Sequence, residues 1–323
     1  MIKTKFIIIG SGIGGLATGA KLKAEGENDF MIIDKQTSLP KNLHNGLHYL
    51  HSLDFEIPFP FEFKKVILTE EIWDTKTNTF KKNATIPEMF EYSKKIMENL
   101  RHPSSIMDPG KKTEVWIPEK NNMDDLIEGF YNYIGKEHFV FGTCSTEIDT
   151  EKKEIICLNN TFEYDYLIST IPIGKLYGLC GMKCPFELKQ KTLYITNYKA
   201  ENIVPNWLIV LYMSDPKFPP YRISVFNKII SMESLFELSY ENEIIIKYLI
   251  GDLFDYDLNT KNTFAWETGR IFGLQKYERT EIIETFKNKD IHLTGRYALW
   301  NGKLRMDSTA KQAQEIIIDI LKI

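Results

Sequence analysis

Four cysteines in 323 residues are few, and none falls in a CxxC pair. Cys144, Cys157, Cys180 and Cys184 thus offer neither a zinc-ribbon ligand set nor a thioredoxin-like redox pair. Cys180 and Cys184, four positions apart, read as two ordinary thiols in a loop. A chain this long needs no disulfide staples, and a reducing, cytoplasmic setting is expected. Long apolar runs are missing as well: nothing approaches the roughly 18 to 20 uninterrupted apolar residues of a membrane span. The formal charge of −4 is spread along the chain with no charged tail, so there is no clear signal for nucleic acid or anionic lipid. The chain has no internal repeat, low-complexity linker or recognisable nucleophile–base triad. It carries no marker of oligomeric state.

With 43% apolar and 13% aromatic residues, the chain has core material for two packed regions. Its opening, with Lys3 and Lys5 before an apolar stretch over 6–20, superficially resembles a secretory leader. The five glycines of that stretch weaken a leader helix and have a better use. Lys5-Phe6-Ile7-Ile8-Ile9 reads as a buried parallel strand, followed at once by Gly10-Ser11-Gly12-Ile13-Gly14-Gly15. Gly10 permits the tight turn, Gly12 lets a pyrophosphate approach the backbone, and Gly15 lets the next helix pack close to the sheet. Residues 16–24 continue as a helix whose amino end faces the anion, and Gly26 stops it. Phe30-Met31-Ile32-Ile33 forms the second strand, ending in Asp34 with Lys35 beside it. An acid here accepts hydrogen bonds from a ribose hydroxyl. Strand, glycine turn, helix, strand and acid in this order predict a dinucleotide site.

Beyond this unit the chain does not continue in regular βα repeats, as a nicotinamide dehydrogenase would, but enters an aromatic, proline-punctuated loop. At the far end, residues 290–296 read as a short strand closing on Gly295-Arg296, and Leu304-Arg305-Met306-Asp307-Ser308-Thr309 leads into an apolar-periodic helix over 310–323. Asp307 or Ser308 is the expected cap, and Arg296 is expected to contact cofactor phosphates. Two helix amino ends converging on one ligand suit a long dianion such as FAD.

In these features the chain resembles the flavoprotein superfamily of amine oxidases, protoporphyrinogen oxidase and UDP-galactopyranose mutase. The resemblance runs through the glycine turn with Asp34, Gly46-Leu47-His48-Tyr49-Leu50-His51, the segment 122–127, residues 164–172 and the Gly295-Arg296 closure. It implies FAD held in an α/β, Rossmann-like domain with a parallel sheet, interrupted by a mixed α+β substrate-binding domain. The expected division is 1–75, 112–180 and 265–323 for FAD, and 76–111 and 181–264 for substrate. The Gly-x-His-x-x-His stretch and Arg305-Met306-Asp307 look most like the mutase branch, whose loop lies against the flavin.

Between the ends, a helix is expected in the second half of 73–100 and another over 124–133. Residues 139–164 have the look of a small antiparallel sheet, and 192–250 of a second sheet carrying substrate. His44, His48 and His51 have helical spacing, but Gly46 undermines a helix and no cysteine or carboxylate cluster supports a metal there. The resemblance instead puts His48, Tyr49 and His51 on a flavin-facing loop. Tyr221-Arg222, after a double proline, opens a strand; the resemblance implies an arginine facing an anionic substrate group, and a solvated strand arginine is the plainer alternative. Three functions follow: an FAD-dependent oxidoreductase acting on a small amine or related CH–NH or CH–CH substrate; a mutase-like enzyme using reduced FAD on a nucleotide sugar without net redox change; and a flavin-binding protein without catalysis.

Overall fold

The amino-terminal apolar run folds as β1 (Ile2–Ile9), the glycine turn feeds α1 (Ile13–Ala24), and the second run forms β2 (Phe30–Ile33). The computed structural model describes residues 1–39, 48–74, 76–97, 113–119, 123–200, 208–226, 228–250 and 256–322. β1 lies parallel to β2 and to β9 (Thr161–Ser169), so that Ile9 stands between Ile33 and Ser169. β15 (Ile291–Leu293) runs parallel to the last third of β9, with Leu293 opposite Ser169, and β6 (Phe139–Val140) runs parallel to β2. β7 (Ser145–Asp149) and β8 (Glu154–Cys157) complete a seven-stranded sheet by antiparallel pairing onto the start of β9. The small antiparallel sheet expected over 139–164 is therefore an extension of the nucleotide sheet, and β6 is a parallel edge strand. β9 is long enough to serve both: its first residues pair with β8 and its last with β15.

Consecutive apolar residues in β1 and β2 bury both faces of this sheet, as a parallel strand requires. Phe6, Ile8 and Ile32 pack toward α1, α3 (Met123–Ile134) and α7 (Met306–Leu321). Ile7, Ile9, Ile33 and Leu167 pack toward α4 (Ile173–Leu179) and α6 (Lys276–Lys287).

The second sheet has eight strands. Its order is β14 (Tyr256–Ile271), β10 (Gln190–Ala200), β13 (Ile229–Ser234), β12 (Pro220–Phe226), β11 (Leu208–Tyr212), β3 (Phe63–Asp74) and β4 (Thr79–Lys81), with β5 (Thr113–Pro118) also on β3. α2 (Ile86–Met97) covers one face through Tyr92 and Ile96, and α5 (Tyr240–Ile250) covers the other through Ile246 and Ile250. Sheet membership cuts the chain at other points than the expected boundaries. β3, β5 and the end of β14, expected beside the nucleotide sheet, hydrogen-bond into the substrate sheet. Residues 240–250, expected as strand, are helical because Ile246 and Ile250 share one helix face and the Ser239 hydroxyl accepts from the Asn242 amide at 3.3 Å. Among the described residues no helix is long and apolar enough to cross a membrane.

Candidate functional site

The carboxyl ends of β1, β2, β9 and β15 meet at one edge of the first sheet, where open α/β sheets bind ligands. The glycine turn sits there. Gly10 has φ +102°, and a Cβ on it would fall on the Thr170 hydroxyl. A Cβ on Gly15 would fall on the Gly10 carbonyl oxygen, and one on Gly14 would stand 3.2 Å from the Thr309 methyl. Gly12 is different: among the described residues nothing lies within 4 Å of its would-be Cβ, at the amino end of α1.

Asp34 lies beside this turn. Its Oδ2 accepts hydrogen bonds from the Ser11 amide and hydroxyl, each at 2.7 Å, and its Oδ1 accepts from the Gln36 amide at 2.8 Å. Three of a carboxylate's roughly four acceptor positions are thus filled by the protein. Lys35 is exposed. At the same edge two hydroxyls, Ser169 Oγ and Thr294 Oγ1, are buried without a partner among the described residues. Gly295 follows with φ +94°.

α7 begins one turn earlier than expected. Its N-cap is Arg305, whose amide donates to Ser308 Oγ at 2.9 Å; neither Asp307 nor Ser308 holds the cap position. The Asp307 carboxylate is free to reach another segment instead, accepting from the His51 and Ser52 amides at 2.9 Å each. It ties the start of α7 to the histidine loop, while Met306 packs toward the α1 cluster. Asp307→Ala should leave those two amides unsatisfied and speed hydrogen exchange at His51 and Ser52 at least tenfold, since each lost charge-assisted bond is worth about 1.5–3 kcal/mol. Unchanged exchange would show that the loop is held by other contacts.

Leu50 fixes the other side of that loop by exchanging backbone bonds with Trp116, at 2.8 and 2.9 Å. Tyr49 and His51 meet edge to face at 5.1 Å, and the His48 ring lies 6.4 Å from that of Trp266. Burial pushes the Tyr49 phenol up, with Arg222 acting against it. His51 is held below its ordinary value by burial and by Arg305, with Asp307 opposing. His44, Gly46 and Leu47 lie outside the described residues.

Tyr221 and Arg222 lie on β12 and converge on one carboxylate. Glu233 of β13, 3% exposed, accepts from the Tyr221 hydroxyl at 2.5 Å and from Arg222 Nε at 2.8 Å, and pairs with the Arg222 Nη2 as well. Arg222 is therefore an ion-paired residue, not a solvated one. The Arg270 guanidinium lies over the Tyr221 ring, 5.6 Å from its centroid. Arg296 joins the group from the first sheet: burial lowers its pKa, Arg270 and Arg222 lower it further, and Tyr297 and Tyr221 act against them. Its Nε is buried without a hydrogen-bond partner among the described residues. Among the described residues neither Arg270 nor Arg296 forms an ion pair with a carboxylate, and Glu233, paired with Arg222, feels Arg270 only as a further positive charge that lowers its pKa. Nearby, the Tyr212 hydroxyl donates to Glu70 at 2.7 Å, and Tyr92 stacks edge-on against Tyr212 and Tyr221.

Of the residues singled out from the sequence, Tyr49, Tyr221 and Arg222, together with Arg296, which was expected at the cofactor phosphates, lie in one region where the two sheets meet. Glu233, Arg270, Glu70, Tyr212 and Tyr92 of the same region were not singled out. Glu233 carried no signal of its own, since its alternation with Ile230 and Met232 places it on the face that reads as solvated.

No family model matches the chain and no curated protein matches it. Solved structures do. The chain is similar to reduced UDP-galactopyranose mutase with TM-score 0.71 and 13% identity, over 100% of this chain and 94% of the other. A putative protoporphyrinogen oxidase from Exiguobacterium sp. 255-15 aligns with TM-score 0.62 and 11% identity, over 97% and 98% of the two chains. A CLA-producing fatty acid isomerase from P. acnes aligns with TM-score 0.61 and 11% identity, over 98% of each. At such identities the likeness is one of fold. It is the fold that the glycine turn and the Gly295-Arg296 closure imply.

Proposed function

We propose that this chain is an FAD-dependent oxidoreductase whose substrate carries an anionic group. The observation that supports it most is Gly12, open on its Cβ side at the carboxyl edge of a parallel sheet. The orphaned hydroxyls of Ser169 and Thr294 at the same edge fit a ligand rich in polar atoms. Gly10, Gly12, Gly14 and Gly15 would cradle the pyrophosphate, Asp34 the ribose, and Gly295 the chain's passage beside the cofactor. Arg305, Met306 and Asp307 would set the amino end of α7 and, through His51 and Ser52, the histidine loop. FAD, when bound, supplies an acceptor for a hydride. The protein's part is to orient a small amine or a related CH–NH or CH–CH substrate. Three guanidiniums, those of Arg222, Arg270 and Arg296, against the two carboxylates Glu233 and Glu70 leave positive charge in excess, which favours an anion because buried positive charge without a counter-charge is costly. His48, Tyr49 and His51 would close the site from the loop side.

Purification followed by an absorbance spectrum and mass spectrometry of the released ligand tests the cofactor. A flavin spectrum with the mass of FAD is expected; a protein that neither retains nor takes up FAD overturns the reading. Arg296→Ala should keep its flavin and lose at least tenfold in affinity for inorganic pyrophosphate, since a charge-assisted bond is worth about 1.5–3 kcal/mol. If flavin occupancy falls instead, Arg296 serves the cofactor phosphates.

A second reading has support of its own. The similarity to UDP-galactopyranose mutase and the arginine cluster together suit a nucleotide diphosphate sugar handled with reduced flavin and no net redox change. Oxygen consumption with anionic amines favours the first reading. Turnover seen only after dithionite reduction favours the second.

A further inference from the structure

Lys95, on α2, makes three hydrogen bonds that the site described above does not use. Its Nζ donates to the carbonyl oxygens of Met213 at 2.9 Å, Asp215 at 2.8 Å and Pro220 at 2.8 Å. Met213 directly follows Tyr212, the last residue of β11, and Pro220 directly precedes Tyr221. The Met213 amide donates to the Tyr221 carbonyl at 2.9 Å, so these carbonyls ring the neck of the β11–β12 hairpin. Three residues earlier on the same helix, the Tyr92 ring lies 5.3 Å from that of Tyr212 and 6.4 Å from that of Tyr221.

We propose that Lys95 is a positioning residue for the anion site, its ammonium fixing the hairpin neck so that Tyr212, Tyr221 and Arg222 stand in register against Glu70, Glu233 and the other two arginines. The inference rests on the anion-site reading of those arginines. An ammonium has three donors and no acceptor, so it satisfies three carbonyls at once. A neutral amine has two donors and would turn its lone pair on the third carbonyl. Burial pushes Lys95 down to about 7, and the nearby Asp215 acts the other way, as do carbonyl dipoles aimed at a positive charge. No apolar side chain of similar length can replace the contact, because it would leave three carbonyls without donors.

The test compares Lys95→Met and Lys95→Arg with the unaltered flavin-loaded protein. It measures pyrophosphate affinity by calorimetry, flavin occupancy, tyrosine near-ultraviolet circular dichroism, and hydrogen exchange at the Met213 amide. Lys95→Met should keep its flavin, weaken pyrophosphate binding at least tenfold, speed exchange at Met213 and alter the tyrosine signal. Lys95→Arg, which keeps the charge, should recover affinity to within about threefold of the unaltered protein. Pyrophosphate affinity unchanged in Lys95→Met, with faster exchange, would overturn the proposal and leave Lys95 as a fastener of α2. If Lys95→Met does not fold, Lys95→Arg decides: affinity restored while Met213 exchange stays slow supports the clamp, and affinity lost with slow exchange overturns it. If the unaltered protein binds no pyrophosphate, the anion-site reading fails by itself. The tyrosine signal then judges the clamp, which is overturned if Lys95→Met leaves that signal unchanged.

Discussion

Gly12→Ala should fold as the unaltered protein does and lose its flavin, whereas Gly15→Ala should lose the fold of the glycine turn itself. The two substitutions add the same methyl group three residues apart, and the surroundings decide the outcome. Gly12 has φ −71° and ψ 179°, which alanine adopts without strain, and no described residue lies within 4 Å of its Cβ. A surface methyl of that kind changes stability by no more than about 0.5 kcal/mol. It does, however, stand where a pyrophosphate would approach the Gly12 backbone, so FAD affinity should drop at least tenfold, about 1.4 kcal/mol. At Gly15 the methyl lands on the Gly10 carbonyl oxygen, a backbone atom held by the turn. Helix and strand must then separate, at a cost on the order of 3 kcal/mol. Thermal unfolding with and without added FAD, together with the flavin-to-protein ratio, distinguishes the cases. Full flavin occupancy in Gly12→Ala would remove the main support for a pyrophosphate at this turn.

That contrast also explains why this end of the molecule was legible in the sequence. The strand, turn, helix and second strand are contiguous within residues 2–33, and Gly15 and Gly19 answer to atoms of this same unit, the Gly10 carbonyl and Ile32. The strand end before Gly295 and the last helix were legible for the same reason, each from a local apolar pattern. The second sheet was not. β3 pairs with β11 across 140 positions, Leu68 opposite Leu208, and no local pattern announces such a pairing. In β13, Ile230 and Met232 alternate with Ser231 and Glu233, which reads as one buried and one solvated face. The protein buries both, one under α5 and the other toward α2 and the loop of Tyr49, so the polar residues of the alternation became site residues. Arg270 is opposite Lys191 on β10, and only the folded sheet carries it to Tyr221. Asp34 shows a subtler gap: its position was legible, but its bonds to Ser11 depend on the turn geometry that a string of residues does not give.

Arg222→Met should destabilise the protein by about 3 kcal/mol at pH 7, near the lower end of the range for removing one member of a buried ion pair. The lower end applies because the Arg222 side chain is 29% exposed and that of Glu233 only 4%. What costs stability is the carboxylate left behind, which keeps only the Tyr221 hydroxyl as a direct partner. Burial acts to raise the Glu233 pKa, yet Arg222 and Tyr221 hold it below its ordinary value of 4.5. In the unaltered protein, Glu233 thus contributes stability that is present above pH 4.5 and lost as pH falls through its folded pKa. Without Arg222, burial is opposed only by Tyr221 and the more distant Arg270, so the folded pKa rises above 4.5. A folded state that binds the proton more tightly than the unfolded chain gains stability as pH falls. The gap in melting temperature between Arg222→Met and the unaltered protein should therefore be widest near pH 7 and narrow toward pH 4.5. Adding Glu233→Gln to Arg222→Met should recover part of the loss at pH 7, because it removes the uncompensated charge and keeps the shape. A gap that is the same at both pH values, with no recovery in the double variant, would mean that Arg222 stabilises the sheet by packing and that Glu233 is not the charge it answers to.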